Sequence, residues 1–158
     1  RGFAMKKLLI AVLCSVTLAG CAGYVPGRQS YWDAQVREMC AKDGGVRIFE
    51  VVQLTEKQYR NGLNRLGHFD VPVQNAMSAN APFVHAIKRT NIRDGNPYVW
   101  RHETSVIRTS DNKVLGIQVI YSRVGGEFPS PSIDSSFSCP DKQTDLFSAV
   151  LKRVGDSK

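Results

Sequence analysis

Lys6 and Lys7 stand directly before a predominantly apolar run, Leu8 to Leu18, which gives way to the small residues Ala19 and Gly20 and then to Cys21. A basic pair, a short apolar stretch and small residues at a cleavage point mark a secretory signal peptide. The run is too short to cross a bilayer, which takes about 20 apolar residues. Residues 5–20 are therefore read as a targeting segment, and the fold must be sought after them, in a chain destined to leave the cytoplasm. Arg1 to Ala4 precede Met5 and read as an extension from a cloning vector or an overcalled start; they too are set aside.

The end of this segment, Leu18-Ala19-Gly20-Cys21, resembles the lipobox of bacterial lipoprotein precursors. The resemblance implies that the Cys21 thiol is alkylated with a diacylglyceryl group, that the chain is cut between Gly20 and Cys21, and that the new amino group is acylated. The residue types suit that chemistry, because a thiol gives a stable thioether and small side chains let an intramembrane protease reach the backbone. The competing reading is an ordinary secretory signal in which Cys21 is incidental. Two or three acyl chains hold a protein firmly to a membrane without spanning it. Ala22, rather than Asp, implies by the family's sorting pattern an outer-membrane anchor, with the domain facing the periplasm. The remainder of the chain resembles the short lipoproteins of Gram-negative envelopes and carries no signature of a known activity.

Of the four cysteines, Cys14 leaves with the signal peptide and Cys21 takes the lipid, so Cys40 and Cys139 remain. In an oxidising compartment such a pair is expected to form a disulfide. Two isolated cysteines without CxxC spacing do not suit a metal. Loss of residues 1–20 leaves 18 basic against 14 acidic side chains, so the formal charge falls from +7 to +4. That mild surplus is weak support for an anionic partner.

The mature chain is expected to hold a lipidated tether at 21–29 and a single domain at 30–158. Ser30 with Asp33 approximates a capping box at the start of a helix whose buried face carries Trp32, Val36, Met39 and Cys40. Gly44-Gly45 ends it. Val46 to Leu54 reads as a strand, and Thr55 with Gln58 caps a short helix over 56–61. The stretch 62–81 is either a missed element or a binding loop.

A strand at Phe83 to Lys88 and a turn at Asp94-Gly95-Asn96-Pro97 precede the clearest hairpin, Tyr98 to Thr109 with Val114 to Arg123. A two-residue turn at Asp111-Asn112 sets Val106 against Ile117, Thr104 against Val119 and His102 against Tyr121, with Leu115, Ile117, Val119 and Tyr121 on the core side. A longer loop would shift that register. Residues 127–140 read as an irregular loop, and Lys142 to Val154 as a last helix with Leu146, Phe147, Val150, Leu151 and Val154 in its apolar stripe. The expected fold class is α+β: a small antiparallel sheet with an N-terminal and a C-terminal helix packed on one face of it.

No phosphate loop, HExxH, GxSxG or EF-hand pattern is present. No cofactor or metal is expected, although His68, His85 and His102 are separately placed candidates for a ligand set. Glu50, Glu103 and Glu127 are the available carboxylates for acid–base work; solvated positions are the simpler reading of each. The most suggestive cluster is basic and aromatic: His85, Lys88, Arg89, Arg93, Tyr98, Trp100, Arg101, His102 and Arg108. Lys88, Arg89, Arg93, Trp100, Arg101 and Arg108 are the candidate patch for an anionic lipid, glycan or protein face; the alternative is a solvated hairpin whose aromatics sit in the core. Nucleic acid is disfavoured by the export signal. The expected role is that of a non-catalytic envelope lipoprotein that binds or scaffolds another envelope component. The alternatives are a binding module or inhibitor that uses loops 62–81 and 127–140 on an envelope enzyme or an anionic glycan or lipid, and an envelope hydrolase.

Overall fold

The computed structural model of the protein describes residues 29–75, 80–127, 134–142 and 144–155. Cys21, the lipobox and the tether before Gln29 lie outside the described residues. The elements run α1 (Gln29–Asp43), β1 (Gly45–Ile48), β2 (Val52–Leu54), α2 (Glu56–Asn61), β3 (Phe83–Arg93), β4 (Tyr98–Arg108), β5 (Lys113–Val124), β6 (Ser136–Cys139), α3 (Leu146–Val150) and β7 (Leu151–Arg153). The fold is α+β, as expected, with a mostly antiparallel sheet and helices at both ends of the chain.

β3, β4 and β5 form the body of the sheet. β4 occupies one edge of β5 along its whole length. The opposite edge is shared by two short strands, β1 against Gly116 to Val119 and β6 against Tyr121 to Val124. The Cys40–Cys139 disulfide closes over the junction between them. Cys40 is one turn from the end of α1, directly before β1, and Cys139 pairs with Tyr121 at the end of β6. Gly44 is required by this packing: a Cβ there would lie 2.5 Å from the Cys40 sulfur.

α1 buries the predicted stripe. Val36 and Cys40 pack with Val99, Val119 and Tyr121, and Trp32 and Met39 flank them. Burial of each such valine stabilises the fold by about 1.5–3 kcal/mol. The helix starts at Gln29, with Ser30 inside it, and Asp33 pairs with Arg123 at 2.7 Å rather than completing a capping box. Arg123 is 1% exposed and also donates to Ser135 Oγ (2.9 Å) and to the Gly125 carbonyl. A buried guanidinium needs such a full set of acceptors.

The second core lies on the other face. Side chains alternate along a strand, so Val119 and Gly116, three residues apart, point in opposite directions. Val119 meets α1, whereas a Cβ on Gly116 would meet Val150 and Leu146 of α3. The two terminal helices therefore pack on opposite faces, not on one. A bulge at Leu115 turns that residue to the same core as its neighbour Gly116. β4 pairs Ile107 with Val114 and then Val106 with Gly116, so Leu115 is unmatched and joins Val106, Leu146, Val150 and Leu151. The amides of Phe49 and Glu50 both donate to its carbonyl, at 2.8 and 3.0 Å.

That bulge and a four-residue turn over Thr109 to Asn112 also correct the hairpin register. Thr104 pairs with Gln118 and His102 with Ile120, one residue from expectation. Three further elements differ. The expected strand over 46–54 bends at Phe49 to Val51 into β1 and β2, which join different sheets. Ser136 to Cys139, read as loop, form β6. The C-terminal helix is five residues long, and Leu151 to Arg153 leave it to pair in parallel with Val52 to Leu54. Leu146, Val150 and Leu151 are buried, while Val154 is exposed.

Candidate functional site

Residues 62–72, with Ala81 and Pro82, build the wall of a cleft. Thr55 and Gln58 form the expected reciprocal cap of α2. Past Asn61 the chain turns on the Asn64 side chain, which accepts from the amides of Leu66 (2.8 Å) and His68 (3.1 Å). Leu63 bridges to Phe69, and the Asp70 amide donates to the Gly62 carbonyl at 2.8 Å. This returns Phe69 to the core edge-on against Tyr59, with ring centroids 5.1 Å apart. Val71 follows it inward, and the loop is then tied to β3: the His85 amide donates to the Pro72 carbonyl, and the His85 ring nitrogen Nδ1 lies 2.8 Å from the Val71 carbonyl. Residues 62–72 are thus an extension of the second core. The backbone spends its polar groups on itself and on β3, while Phe69 and Val71 face inward.

Between this loop, β2, β7 and the start of β3 lies a cavity of about 470 Å³. Val52, Leu54, Phe69, Val71, Phe83 and Leu151 make its apolar walls, and Gln53, Gln58, Asn61 and Asp70 its polar margin. The volume is that of a small-molecule site. Among the described residues its lining holds one carboxylate, Asp70, and no histidine, serine or cysteine. The chemistry it offers is shape and apolar contact with a few hydrogen bonds at the rim. The sequence signal that pointed here was the excess length of the loop; the inward turn of Phe69 and Val71 was not readable from it.

The basic–aromatic cluster divides between the two faces of the sheet. Register places Arg89, Tyr98, Trp100 and His102 on the face that carries α3, and Lys88, Arg93 and Arg101 on the face that carries α1. Arg101 is held by Asp43 (3.1 Å) and Glu103 (2.7 Å). Arg108 is held by Glu50 and by Asp111 (2.8 Å). Arg93 lies over the Trp32 ring and donates to the Pro97 and Asn96 carbonyls at 3.0 and 3.2 Å. Arg89 and Trp100 remain together. The guanidinium sits 4.5 Å from the Trp100 ring centroid and 5.4 Å from that of Tyr98, and the two rings stack at 5.2 Å. Arg89 and Lys88 meet no carboxylate among the described residues.

Ion pairing also sets the protonation of the carboxylates. The Tyr121 hydroxyl donates to Asp43 at 2.6 Å, and this bond with the Arg101 contacts holds the Asp43 carboxyl below the usual carboxylate range despite partial burial. Burial, and then the bond to Asp43, pushes the Tyr121 phenol up. Hydrogen bonds from Lys113 and Arg108 lower Glu50, and those from Ser135 lower Glu127. Glu50, Glu103 and Glu127 each have a donor partner and lie on separate parts of the fold. His85 is edge-on to Phe147, His68 is in the 62–72 loop and His102 is on β4. Among the described residues no three His, Cys, Asp or Glu side chains come together as a metal site.

These features are arranged at opposite ends of the domain. The cleft adjoins Phe83 and the second core; the Arg89–Tyr98–Trp100 stack lies towards the turn at 94–97, about 20–33 Å away along β3 and β4. No family model, curated protein or solved structure matches this chain.

Proposed function

We propose that this chain is a membrane-anchored envelope lipoprotein whose domain binds or scaffolds another envelope component without catalysis. The observation that supports this reading best is the Cys40–Cys139 disulfide, which bridges two distant parts of the chain. Such a bond persists in an oxidising compartment and is rare in the reducing cytoplasm. It agrees with an exported chain, and Leu18-Ala19-Gly20-Cys21 supplies the anchor. Mass spectrometry of the purified membrane form is the direct test. A chain beginning at an acylated Cys21 is expected, and Cys21→Ser should move the protein to the soluble fraction. An unmodified terminus at another bond would overturn the reading.

The cleft favours a second reading, a binding module or inhibitor that takes an apolar group of its partner into the space beside Phe69 and Val71. The 470 Å³ volume and the apolar lining support it. Asp70→Ala with Asn61→Ala, both at the exposed margin, should reduce retention of partners crosslinked in intact cells while leaving thermal unfolding nearly unchanged. Unaltered capture of the same partners would count against it.

A further inference from the structure

We propose that Arg89, Tyr98 and Trp100 form a docking surface for phospholipid headgroups, which seats the domain on the bilayer that holds its anchor. This rests on the lipoprotein reading and adds to it an orientation.

Three observations carry it. The first is position. The chain continues towards Cys21 from Gln29, whose amide donates to the Gly126 carbonyl at 2.9 Å. A Cβ on Gly126 would lie 3.0 Å from that Gln29 nitrogen and 3.2 Å from Pro97 Cβ, and Tyr98 is the next residue. Gln29 thus lies at the same end of the sheet as the aromatic stack, next to Pro97 and on the side of α1. The eight steps from Gln29 back to Cys21 reach at most about 26–29 Å, so this end of the domain cannot move far from the lipid surface.

The second is chemistry. Tyr and Trp present an apolar ring with a polar tip and are favoured at membrane interfaces. A guanidinium laid on their faces keeps its edge N–H groups free for phosphate oxygens, which it can meet in bidentate fashion. Ile87, on the same face of β3, is 51% exposed. The charges near the stack are few: Asp94 is bonded to Asn91 Nδ2 at 3.0 Å, Asn91 in turn accepts from the Tyr98 hydroxyl, and His102 stands opposite Arg89. Arg93 and Lys88 belong to the other face.

The third is the absence of a cover among the described residues. α2, α3, β2 and β7 pack at the cleft end of this face and α1 on the opposite face. Arg89 and its neighbours on β3 from Ile87 to Ile92 are exposed, and the outer edge of that part of β3 has no partner strand among them.

The test uses the full chain in vesicles of phosphatidylethanolamine and phosphatidylglycerol, with and without brominated acyl chains. Trp100 emission is taken as the difference between the parent and Trp100→Phe, because Trp32 is the only other tryptophan. With acylated protein, verified by mass, Trp100 emission should be quenched by the brominated lipid and relieved by Arg89→Gln. Equal emission in both vesicle types would overturn the proposal. Unfolding midpoints of both variants should match the parent, since both side chains lie on an open face. If Cys21 carries no lipid, the anchoring reading fails by itself, and docking is then read from sedimentation of the Cys21→Ser chain with the same vesicles. Binding that Arg89→Gln weakens about fivefold supports docking; no binding, or binding to a soluble anionic glycan in its place, overturns it.

Discussion

Cys40 and Cys139 lie 6.0 Å apart at Cα, at the point where the ends of β1 and β6 meet along one edge of β5. Neither short strand has more than four residues, and each pairs on one side with β5. The covalent link makes them act as one interrupted edge strand and ties α1 to the same place.

Opening that link should therefore be costly. The cysteines are 99 positions apart in sequence, and the chain-entropy treatment of such a loop gives about 4–5 kcal/mol, an upper figure. Cys40→Ser with Cys139→Ser should lose about 2–5 kcal/mol, the range seen for native disulfides in small secreted domains. Urea unfolding of the parent with and without reductant checks it; coincident midpoints would show that the edge stands without its staple.

Asp43 links the end of α1 to Tyr121 and Arg101 on the sheet. Its folded-state carboxyl is lowered, so its contribution is complete above the unfolded carboxylate range, near pH 4, and is lost as pH falls through the lowered value. Asp43→Asn should cost about 1–2 kcal/mol at neutral pH, a charged hydrogen-bond value reduced for partial exposure. The gap between variant and parent should narrow as the solution is acidified through that lowered value, below which the parent too is neutral at this site. Chemical denaturation across that acidification measures it, and a gap that widens in acid would contradict the assignment.

Gly116 is the contact between β5 and α3. A methyl group there would lie 2.8 Å from Val150 Cγ2, 3.1 Å from the Arg47 carbonyl and 3.2 Å from Leu146 Cδ1. Gly116→Ala should destabilise by about 1–3 kcal/mol through overpacking. Combined with Val150→Ala, the loss should be smaller than the sum of the two single changes by at least about 0.5 kcal/mol, because the new methyl occupies the vacated space. Strict additivity in a double-mutant cycle would mean that α3 does not pack as described.

Arg123 is the buried cation of the tether end. Arg123→Met leaves Asp33, the Gly125 carbonyl and the Ser135 hydroxyl oxygen without their guanidinium donor. Loss of one partner of a buried pair costs about 3–5 kcal/mol. Arg123→Lys should recover little of it, since a single ammonium cannot reach acceptors on both sides. Thermal unfolding of the two variants decides this; a lysine variant as stable as the parent would show that charge alone suffices.

What the amino-acid order determined by itself was local. The stripe Trp32–Val36–Met39–Cys40, the Thr55–Gln58 cap and the turn at 94–97 were readable because their hydrogen bonds and spacing close within a few residues. The Cys40–Cys139 pair was readable from cysteine number and compartment, which is a matter of redox chemistry and not of shape. The α+β class followed from the order of these elements.

Tertiary structure alone decided which partner each extended segment takes. Ser136 to Cys139 become a strand because β1 leaves half of β5 unpaired, and Leu151 to Arg153 leave a helical stripe because β2 offers them a ladder. Alternation along the strands sends one side of β5 to each core, with the Leu115 bulge adding that residue to the second, and it parts Arg89 and Trp100 from Arg93 and Arg101. A strand's hydrogen bonds and facing side chains belong to residues far away in the chain, so neither its partner nor its register can be stated from the segment itself.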